Sequence, residues 1–361
     1  METEKKCPNK KRKTRVLFIC KKRKHPYEYT EIDDTLKANE SSKILKSSGL
    51  LNSANFVSKM LNKNKIESKV VDVIDNNSID KEVKEFNPDY VIIEALWVVP
   101  EKFEVLTKLH PNVKWIIRLH SEIPFLANEG IAIEWLYKYL KYKNVYIGAN
   151  SVEATEIFEN ILKTKIFYLP NYYPIKCTSN EYEVEENSNS INIGCFGAIR
   201  PMKNQLQQAI AAIEFGDSIN KSIRFHINSE RIESRGEPVL KNIRELFKNN
   251  PTHKLIEHKW HDHEDFIGLV KKMDIGLQVS FSETFNIVSA DFVSNGVPVI
   301  VSPEISWASC IFKVNPNSNQ EIVNKLKFVW NYKKFGLNLF SLFGLLSYNW
   351  KSKKTWLNYF S

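Results

Sequence analysis

The sequence predicts an α/β protein built from two doubly wound parallel sheets that face each other across a cleft. Three observations predict this fold. The chain has 361 residues, enough for two domains of ordinary size. Short apolar runs alternate with longer amphipathic runs, as in parallel sheets covered by helices. A stretch without apolar periodicity, rich in Pro, Asn, Ser and acidic residues, divides this alternation into two halves. We therefore expect two Rossmann-like domains in tandem.

The first half contains apolar runs that predict strands and amphipathic runs that predict helices. The predicted strands are residues 15–20, 69–74, 90–94, 114–119, 145–148 and 165–169. The predicted helices are residues 50–61, 80–86, 103–109, 131–142 and 152–162.

The second half repeats the same alternation. Gly296 stands where a left-handed residue would end a helix before the next strand. The predicted strands are residues 191–196, 223–227, 255–259, 275–279 and 298–301. The predicted helices are residues 205–215, 239–249, 264–273, 284–295 and 320–333.

These patterns predict a division of the chain into five segments. We expect a basic tail, an N-terminal acceptor-side domain, a linker, a C-terminal donor domain and a terminal helical segment rich in Leu, Phe and Trp. Their predicted bounds are 1–13, 14–172, 173–190, 191–335 and 336–361. Ligands of such folds bind at the carboxyl ends of the strands, so the residues that follow each strand are the candidates for a site.

The net charge of +9 is concentrated at the N-terminus. Residues 1–24 contain 11 Lys and Arg and two acids, so the rest of the chain, with 40 basic and 40 acidic residues, is neutral. This distribution argues against a broad phosphate-binding surface. A solubilising tail and a segment that contacts nucleic acid or an anionic membrane surface are both open interpretations.

The spacing of the cysteines and the hydropathy of the chain indicate the cellular compartment of the protein. The five cysteines show no paired spacing, which favours a reducing environment. The charged N-terminus does not have the apolar region of a secretory signal. The most apolar stretch, 337–348, is shorter than the roughly 20 residues that span a bilayer. We expect a cytoplasmic protein without a transmembrane segment.

The first candidate motif is Gly-Ala-Ile-Arg-Pro-Met-Lys-Asn at 197–204, between a predicted strand and a predicted helix. Gly197 allows a close backbone approach. Arg200 and Lys203 place two cations where a diphosphate would lie against the helix N-terminus. A surface turn with solvated cations is the alternative interpretation.

The second candidate motif holds two carboxylates, Glu283 after the strand 275–279 and Asp291 two helical turns later. Carboxylates accept hydrogen bonds from neighbouring hydroxyl groups of a sugar. A pair on one helix could therefore bind two sugars. The alternative is a solvated helix face whose acidic start suits the helix dipole.

Together, these motifs resemble the family 4 type of GT-B glycosyltransferases. The resemblance covers residues 191–302 and implies that Arg200 and Lys203 bind the diphosphate of a nucleotide-sugar donor. By the same resemblance Asn204 belongs to the diphosphate turn, Glu283 binds the transferred sugar and Asp291, where the family usually has Glu, binds the ribose.

The first half carries further points of resemblance. Gly49, in Ser-Ser-Gly before a predicted helix, corresponds to a donor-side glycine loop, and His120, after the strand 114–119, corresponds to a histidine facing the donor sugar. A satisfied structural histidine is the alternative for His120. The runs 91–106 and 120–135 resemble glycosyltransferase-like proteins of bacteriophages, which would place the protein in the host cell cytoplasm.

The resemblance implies hexosyl transfer from a nucleotide sugar, with UDP-sugar as the expected donor, retention at the anomeric carbon and no required cofactor. The acceptor is open among a modified base in phage DNA, a glycan or cell-surface precursor, a protein and a small molecule. Two other functions also remain open. One is a non-catalytic GT-B-like protein that binds a nucleotide or nucleic acid; the other is sugar-phosphate phosphorolysis or epimerisation on the same fold.

The histidine-rich run 258–265 was weighed as a metal site. It spans a strand end and a helix start and offers no His pair one turn apart on a helix, so we interpret it as a loop with structural roles. The sequence also lacks the Asp-x-Asp motif with which other glycosyltransferases hold a divalent ion. We therefore predict no metal ligands and metal-independent transfer.

Overall fold

A computed structural model describes residues 12–22, 49–175 and 189–361. Its N-terminal sheet is parallel, with strand order β2-β1-β3-β4-β5-β6. The strands are β1 (Arg15–Lys21), β2 (Glu67–Val73), β3 (Tyr90–Glu94), β4 (Lys114–Leu119), β5 (Val145–Ala149) and β6 (Phe167–Tyr168). The helices that cover it are α1 (Gly49–Lys63), α2 (Ile79–Phe86), α3 (Lys102–Leu109), α4 (Ile123–Leu126), α5 (Ala132–Tyr139) and α6 (Val152–Leu162).

The C-terminal sheet is also parallel, with strand order β11-β10-β7-β8-β9. Its strands are β7 (Ser190–Gly194), β8 (Ser222–Asn228), β9 (Lys254–His258), β10 (Ile275–Gln278) and β11 (Val299–Val301). Its helices are α7 (Gln205–Ser218), α8 (Glu237–Lys248), α9 (His263–Val270), α10 (Ile287–Ser294), α11 (Asn319–Tyr332) and α12 (Asn338–Phe360).

The strand order reverses direction once in each sheet, between β1 and β3 and between β7 and β10. At such a switch point the two connections leave on opposite faces, and a crevice opens at the carboxyl ends of the strands. The inner strands of both sheets, such as β3, β4 and β10, are buried on both faces, which explains why they appear in the sequence as nearly continuous apolar runs. The predicted fold class is confirmed.

The last helix, α12, packs against both domains. Leu345 lies in the core beside α10, and Trp356 and Phe360 are buried in the core formed by β1 and α1. The Trp356 indole donates a hydrogen bond to the Pro170 carbonyl oxygen at 2.7 Å. Asn349 exchanges two hydrogen bonds with the backbone of Tyr173. The C-terminal segment therefore holds the two domains together.

The sequence located the strands to within two residues at most ends, and it placed β3, β4 and α6 at their observed bounds. Gly296 has a φ of +79° just after α10, as predicted for a helix-ending residue. The helices were predicted less well than the strands. The first error concerns helix ends: the predicted helices 131–142 and 264–273 end at Tyr139 and Val270, and the short helix α4 was not predicted.

The second error concerns α10, which begins at Ile287 and not at 284 because Asn286 adopts a left-handed φ of +61°. Its side-chain oxygen caps the helix by accepting from the Ser289 N–H at 2.8 Å. Glu283 therefore lies in the loop before α10, and the interpretation of Glu283 and Asp291 as a pair on one helix was wrong.

Among the described residues, the helices are all too short or too polar to traverse a lipid bilayer.

Candidate functional site

The two sequence motifs meet at the switch point of the C-terminal sheet. The Gly197 turn follows β7 and the Glu283 loop follows β10, and these two strands pair directly. Gly197 has a φ of +115°, which a residue with a side chain rarely adopts, and its N–H donates to the Asn228 Oδ1 at 3.1 Å. The turn is thus tied to the end of β8 and directs the following residues toward the crevice.

Lys203 and Glu283 form an ion pair across this crevice, 80 residues apart in sequence. Their side chains are 12% and 9% exposed, so the pair is largely shielded from water but still reachable. Burial lowers the pKa of Lys203 below its usual value, although Glu283 opposes this effect. Burial alone would raise the pKa of Glu283, but Lys203 and Arg200 outweigh it and hold that pKa below its ordinary value. The pair is therefore a charged, partly desolvated contact that a phosphate and a sugar could replace.

Arg200 lies beside this pair and also reaches the other domain. One guanidinium nitrogen, Nη1, is 3.5 Å from a carboxylate oxygen of Glu233. The guanidinium carbon lies 4.7 Å from the ring centre of Phe125 on α4, at a distance typical of a cation–π contact. Its Nε atom is buried and has no hydrogen-bond partner among residues 12–22, 49–175 and 189–361. A buried donor without a partner is costly, so Arg200 retains a donor for an anion.

The N-terminal domain contributes a buried cluster at the ends of β3 and β4. Glu94 and Arg118 are direct neighbours in the strand register. Both side chains are fully buried, and the Arg118 Nη1 is 3.0 Å from the Glu94 Oε1. His120 Nε2 contacts the other carboxylate oxygen of Glu94. The cluster places a histidine at the carboxyl edge of the sheet, where a ligand would bind.

The protonation states in this cluster follow from burial and charge. Burial lowers the pKa of His120 and Arg118 adds to that effect, while Glu94 partly opposes it. Burial would raise the pKa of Glu94, but Arg118 and His120 outweigh it and hold the pKa below its ordinary value. The lowered pKa values of His120 and Glu94 both agree with a neutral His120 that donates a hydrogen bond from Nε2 to an ionised Glu94.

Hydrogen bonds connect this cluster to the C-terminal domain at Thr284, the residue after Glu283. The Asn150 amide nitrogen donates to the Thr284 hydroxyl at 2.9 Å, and that hydroxyl donates to the His120 carbonyl oxygen at 3.4 Å. Asn150 Nδ2 also lies 3.4 Å from His120 Nδ1. The structure therefore brings His120 next to the loop that carries Glu283.

A pocket of about 90 Å³ lies between the domains beside this crevice. Gly49, at the start of α1, lines it from the N-terminal domain, and Gly197 and Asp291 line it from the C-terminal domain. A methyl group built on Gly49 would meet no atom of the described residues within 4 Å. The rings of Trp260 and Phe266 form part of the apolar wall.

Asp291 lies on α10 at the back of this pocket with 1% of its surface exposed. It accepts hydrogen bonds from the Tyr173 hydroxyl at 2.7 Å and pairs with His263 Nε2 at 2.7 Å. Burial raises the pKa of Asp291, with His263 and Tyr173 opposing. The sequence did not indicate Tyr173, which falls in the predicted linker.

Asn204 holds the turn through its side chain. It has a φ of +55°, and its amide nitrogen donates to the carbonyl oxygens of Val279 at 3.2 Å and Pro316 at 2.9 Å. These structural hydrogen bonds explain why an asparagine occupies this position, whether or not it binds a ligand. Donor binding by Asn204 stays a prediction, and in the structure its side chain fixes the loop that presents Lys203.

The structure adds Glu94, Arg118 and Thr284 to the residues found from the sequence, and it brings Asn150, which follows a predicted strand, into contact with Thr284. Glu94 and Arg118 are charges at the ends of apolar strands, a signal that could have indicated them. Asn150 and Thr284 come from different domains, and the sequence carries no sign of their contact. The basic residues 1–11 lie outside the described residues.

The histidine-rich run forms part of a stacked arrangement. His226 on β8 and His258 on β9 have ring centres 5.1 Å apart, with a nitrogen–nitrogen distance of 2.9 Å. In the described ranges no group of three or more His, Cys, Asp or Glu side chains is arranged to hold a metal ion. His258 therefore packs between adjacent strands, whereas His263 of the same run pairs with Asp291 at the pocket. The absence of metal ligands stays a prediction.

Comparisons with known proteins place this architecture. No protein-family description matches the sequence, and no curated protein matches it either. Solved structures do match. A structure titled as trehalose-6-phosphate from E. coli bound with UDP-2-fluoro glucose has a TM-score of 0.64 at 11% identity, covering 95% of this chain and 98% of that one.

Two further matches have other titles. The Candida albicans trehalose-6-phosphate phosphatase N-terminal domain has a TM-score of 0.61 at 14% identity, covering 98% of this chain and 97% of its own. Sucrose-phosphate synthase from Thermosynechococcus elongatus has a TM-score of 0.58 at 12% identity, covering 78% and 75%. At such low identity the likeness shows the fold alone. The chain has the two-domain Rossmann-like architecture of the GT-B fold.

Proposed function

We propose that this protein is a glycosyltransferase that moves a hexose from a nucleotide-diphosphate sugar, with UDP-sugar as the donor, to an acceptor hydroxyl group or base. One observation carries the proposal. Lys203, Arg200 and Glu283 converge at the switch point of the C-terminal sheet, directly beside a histidine from the opposite domain. Two cations and a carboxylate are the groups needed to bind a diphosphate and the hydroxyls of its sugar.

The pocket supports the placement of the donor. Its glycines, Gly49 and Gly197, allow a diphosphate to approach the backbone at the starts of α1 and of the turn before α7. Asp291 offers a carboxylate for ribose hydroxyls, and the aromatic wall suits a flat nucleobase. Donor binding would displace the Lys203 ammonium from Glu283, freeing Glu283 for the transferred sugar. A UDP-sugar is favoured because the E. coli structure with the same fold is titled as holding UDP-2-fluoro glucose.

The chemistry follows from charge. As the bond between the anomeric carbon and the diphosphate oxygen breaks, negative charge grows on the leaving diphosphate. Arg200 and Lys203 stabilise this charge more in the transition state than in the ground state. The acceptor oxygen or nitrogen forms the new bond, and its proton passes to the leaving phosphate. We also propose that transfer occurs with retention at the anomeric carbon and that the protein is of the family 4 type. Both points rest on the motif resemblance alone.

A binding and turnover assay tests the proposal. The full chain is mixed with UDP-, GDP- and ADP-glucose, and thermal unfolding and release of nucleoside diphosphate are measured. Donor at 100 times its Kd should stabilise the protein by about 2.7 kcal/mol. Arg200→Ala and Lys203→Ala should each lower turnover by about 10²- to 10³-fold.

Arg244→Ala is the matched control, because Arg244 forms an exposed ion pair with Glu257 on the surface of the same domain. It should leave donor stabilisation and turnover unchanged. Stabilisation by a donor without any release of nucleoside diphosphate would favour the non-catalytic binding protein. Unchanged turnover in Arg200→Ala and Lys203→Ala would refute the assigned roles. A DNA acceptor and a cytoplasmic location stay predictions.

A further inference from the structure

Helix α12 presents an exposed apolar stripe. Leu339, Phe343, Leu346 and Trp350 recur three or four residues apart, so they lie on one face of the helix. They are 52%, 65%, 45% and 65% exposed, and the adjacent Phe340 is 54% exposed. Scattered single exposed apolar residues are ordinary on a protein surface, whereas a contiguous stripe of large ones indicates an interaction surface.

The opposite face of the same helix is anchored. Leu345, Trp356 and Phe360 are at most 1% exposed and pack into the cores of the two domains. The helix therefore cannot roll over to bury its stripe without opening those cores. The stripe is presented to solvent in a fixed orientation.

The charges of the segment that carries the stripe have one sign. Residues 322–361 contain seven lysines and no aspartate or glutamate. Lys333 is paired with Asp274 at 2.7 Å. Lys351 and Lys354, at the end of the stripe, are exposed, and the Lys354 ammonium lies 5.5 Å from the Trp350 ring centre. An apolar face with aromatic residues and flanking lysines is the pattern of a helix that lies in a membrane interface.

We propose that the stripe on α12 docks the protein onto an anionic lipid surface, with the helix parallel to the bilayer. The aromatic and leucine side chains would enter the interface, and Lys351 and Lys354 would contact lipid phosphates. A second copy of the chain fits the stripe less well. A two-fold interface would place this lysine-rich segment against itself, with no acidic residue from either copy of 322–361 to neutralise it. The proposal goes beyond sugar transfer and does not depend on it.

Vesicle flotation tests the proposal with the full chain. Vesicles of phosphatidylcholine are compared with vesicles that also contain phosphatidylglycerol, at low and high salt. The wild type should float with the anionic vesicles and be released by salt. Phe343→Ser with Trp350→Ser should lower the partition coefficient at least about tenfold. Lys351→Gln with Lys354→Gln should lower it about 30-fold on anionic vesicles only.

The matched control is Val105→Ser with Leu109→Ser on α3, whose side chains are 49% and 51% exposed. It should bind vesicles as the wild type does, and all variants should keep the wild-type unfolding midpoint. The proposal is overturned if the wild type stays unbound, or if Phe343→Ser with Trp350→Ser floats like the wild type. It is also overturned if sedimentation shows that the wild type is a dimer, that Phe343→Ser with Trp350→Ser abolishes the dimer, and that the wild type does not bind vesicles.

Discussion

Replacing Arg118 with methionine perturbs the buried cluster beneath the candidate site. The arginine side chain donates hydrogen bonds to the carbonyl oxygens of Leu169 and Pro170, to the side chain of Asn171, and to both carboxylate oxygens of Glu94. Methionine keeps a flexible, apolar stem but no charge or donor. The variant Arg118→Met therefore leaves the buried Glu94 carboxylate with His120 as its remaining partner from the cluster.

The expected loss is about 3–5 kcal/mol, the usual cost of removing one partner of a buried ion pair. Both side chains of this pair have no exposed surface, so solvent does not screen the remaining charge. The exposed pair of Arg244 and Glu257 provides the comparison, since its arginine is 55% exposed. Loss of such a surface pair costs about 0–1 kcal/mol.

Urea unfolding at neutral pH measures both losses. We expect Arg118→Met to lose far more stability than Arg244→Met, and the double variant Glu94→Gln with Arg118→Met to regain part of the loss, because the carboxylate charge is then absent. If Arg118→Met loses no more than Arg244→Met, the ion pair does not stabilise the cluster and the reasoning is refuted.

The stability of Arg118→Met should also depend on pH differently from that of the wild type. In the wild type the folded pKa of Glu94 is lowered, so its contribution is fully present above the pKa of an unfolded glutamate, about 4.3. It is lost as the pH falls through the lower folded pKa. Without Arg118, burial dominates and raises that pKa, so ionised Glu94 destabilises the variant at neutral pH. The stability difference between wild type and variant should therefore begin to narrow as the pH falls through the raised pKa of Glu94 in the variant, and it should narrow further below about 4.3 as the wild type loses its own contribution.

Three further predictions concern single residues. Burial, and then His258, lower the pKa of His226 from 6.5 to about 4. The unfolded chain therefore takes up the proton first, and the free energy of unfolding falls as the pH drops between these two values. In urea unfolding, His226→Gln should lose about 3 kcal/mol less stability than the wild type over this pH range. Asp291→Asn should lower donor affinity about tenfold in a thermal-shift titration, because an amide replaces a charged acceptor of the ribose hydroxyls. Unchanged affinity would show that Asp291 does not bind the donor. Trp356→Ala should cost about 3–5 kcal/mol in urea unfolding through the cavity left in the core, and a loss below 1 kcal/mol would contradict that packing.

The fold was predictable because the inner strands of both sheets are buried on both faces. Strands such as β4 then appear as uninterrupted apolar runs, and α6 shows helical spacing after the N-cap Ser151, whose hydroxyl accepts from the Ala154 N–H at 3.1 Å. The end of α10 was predictable from Gly296. Its start was not, because no pattern of apolar residues reveals that Asn286 adopts a left-handed backbone. The predicted domain boundaries stay a prediction.

The candidate site was predictable in part. Arg200, Lys203 and Glu283 lie directly after strands, so the topology of a doubly wound sheet was enough to bring them to one edge. The Glu94–Arg118 pair depends on the strand register, which places the two residues side by side although 24 residues separate them. Tyr173 reaches Asp291 across 118 residues of sequence. Such contacts are set by tertiary packing, which local sequence patterns do not encode.

The path of α12 has a mechanical consequence. A 23-residue helix is about 35 Å long, and its two ends are fastened in different cores. If the two halves of the protein move together around a donor, neither rotation about the helix axis nor sliding along it preserves both attachments, because each would pull buried side chains out of one of the two cores. Closure should therefore be a small movement that keeps both ends of the helix in place. Removing residues 356–361 would take Trp356 and Phe360 out of the N-terminal core and would release that half of the protein from this restraint.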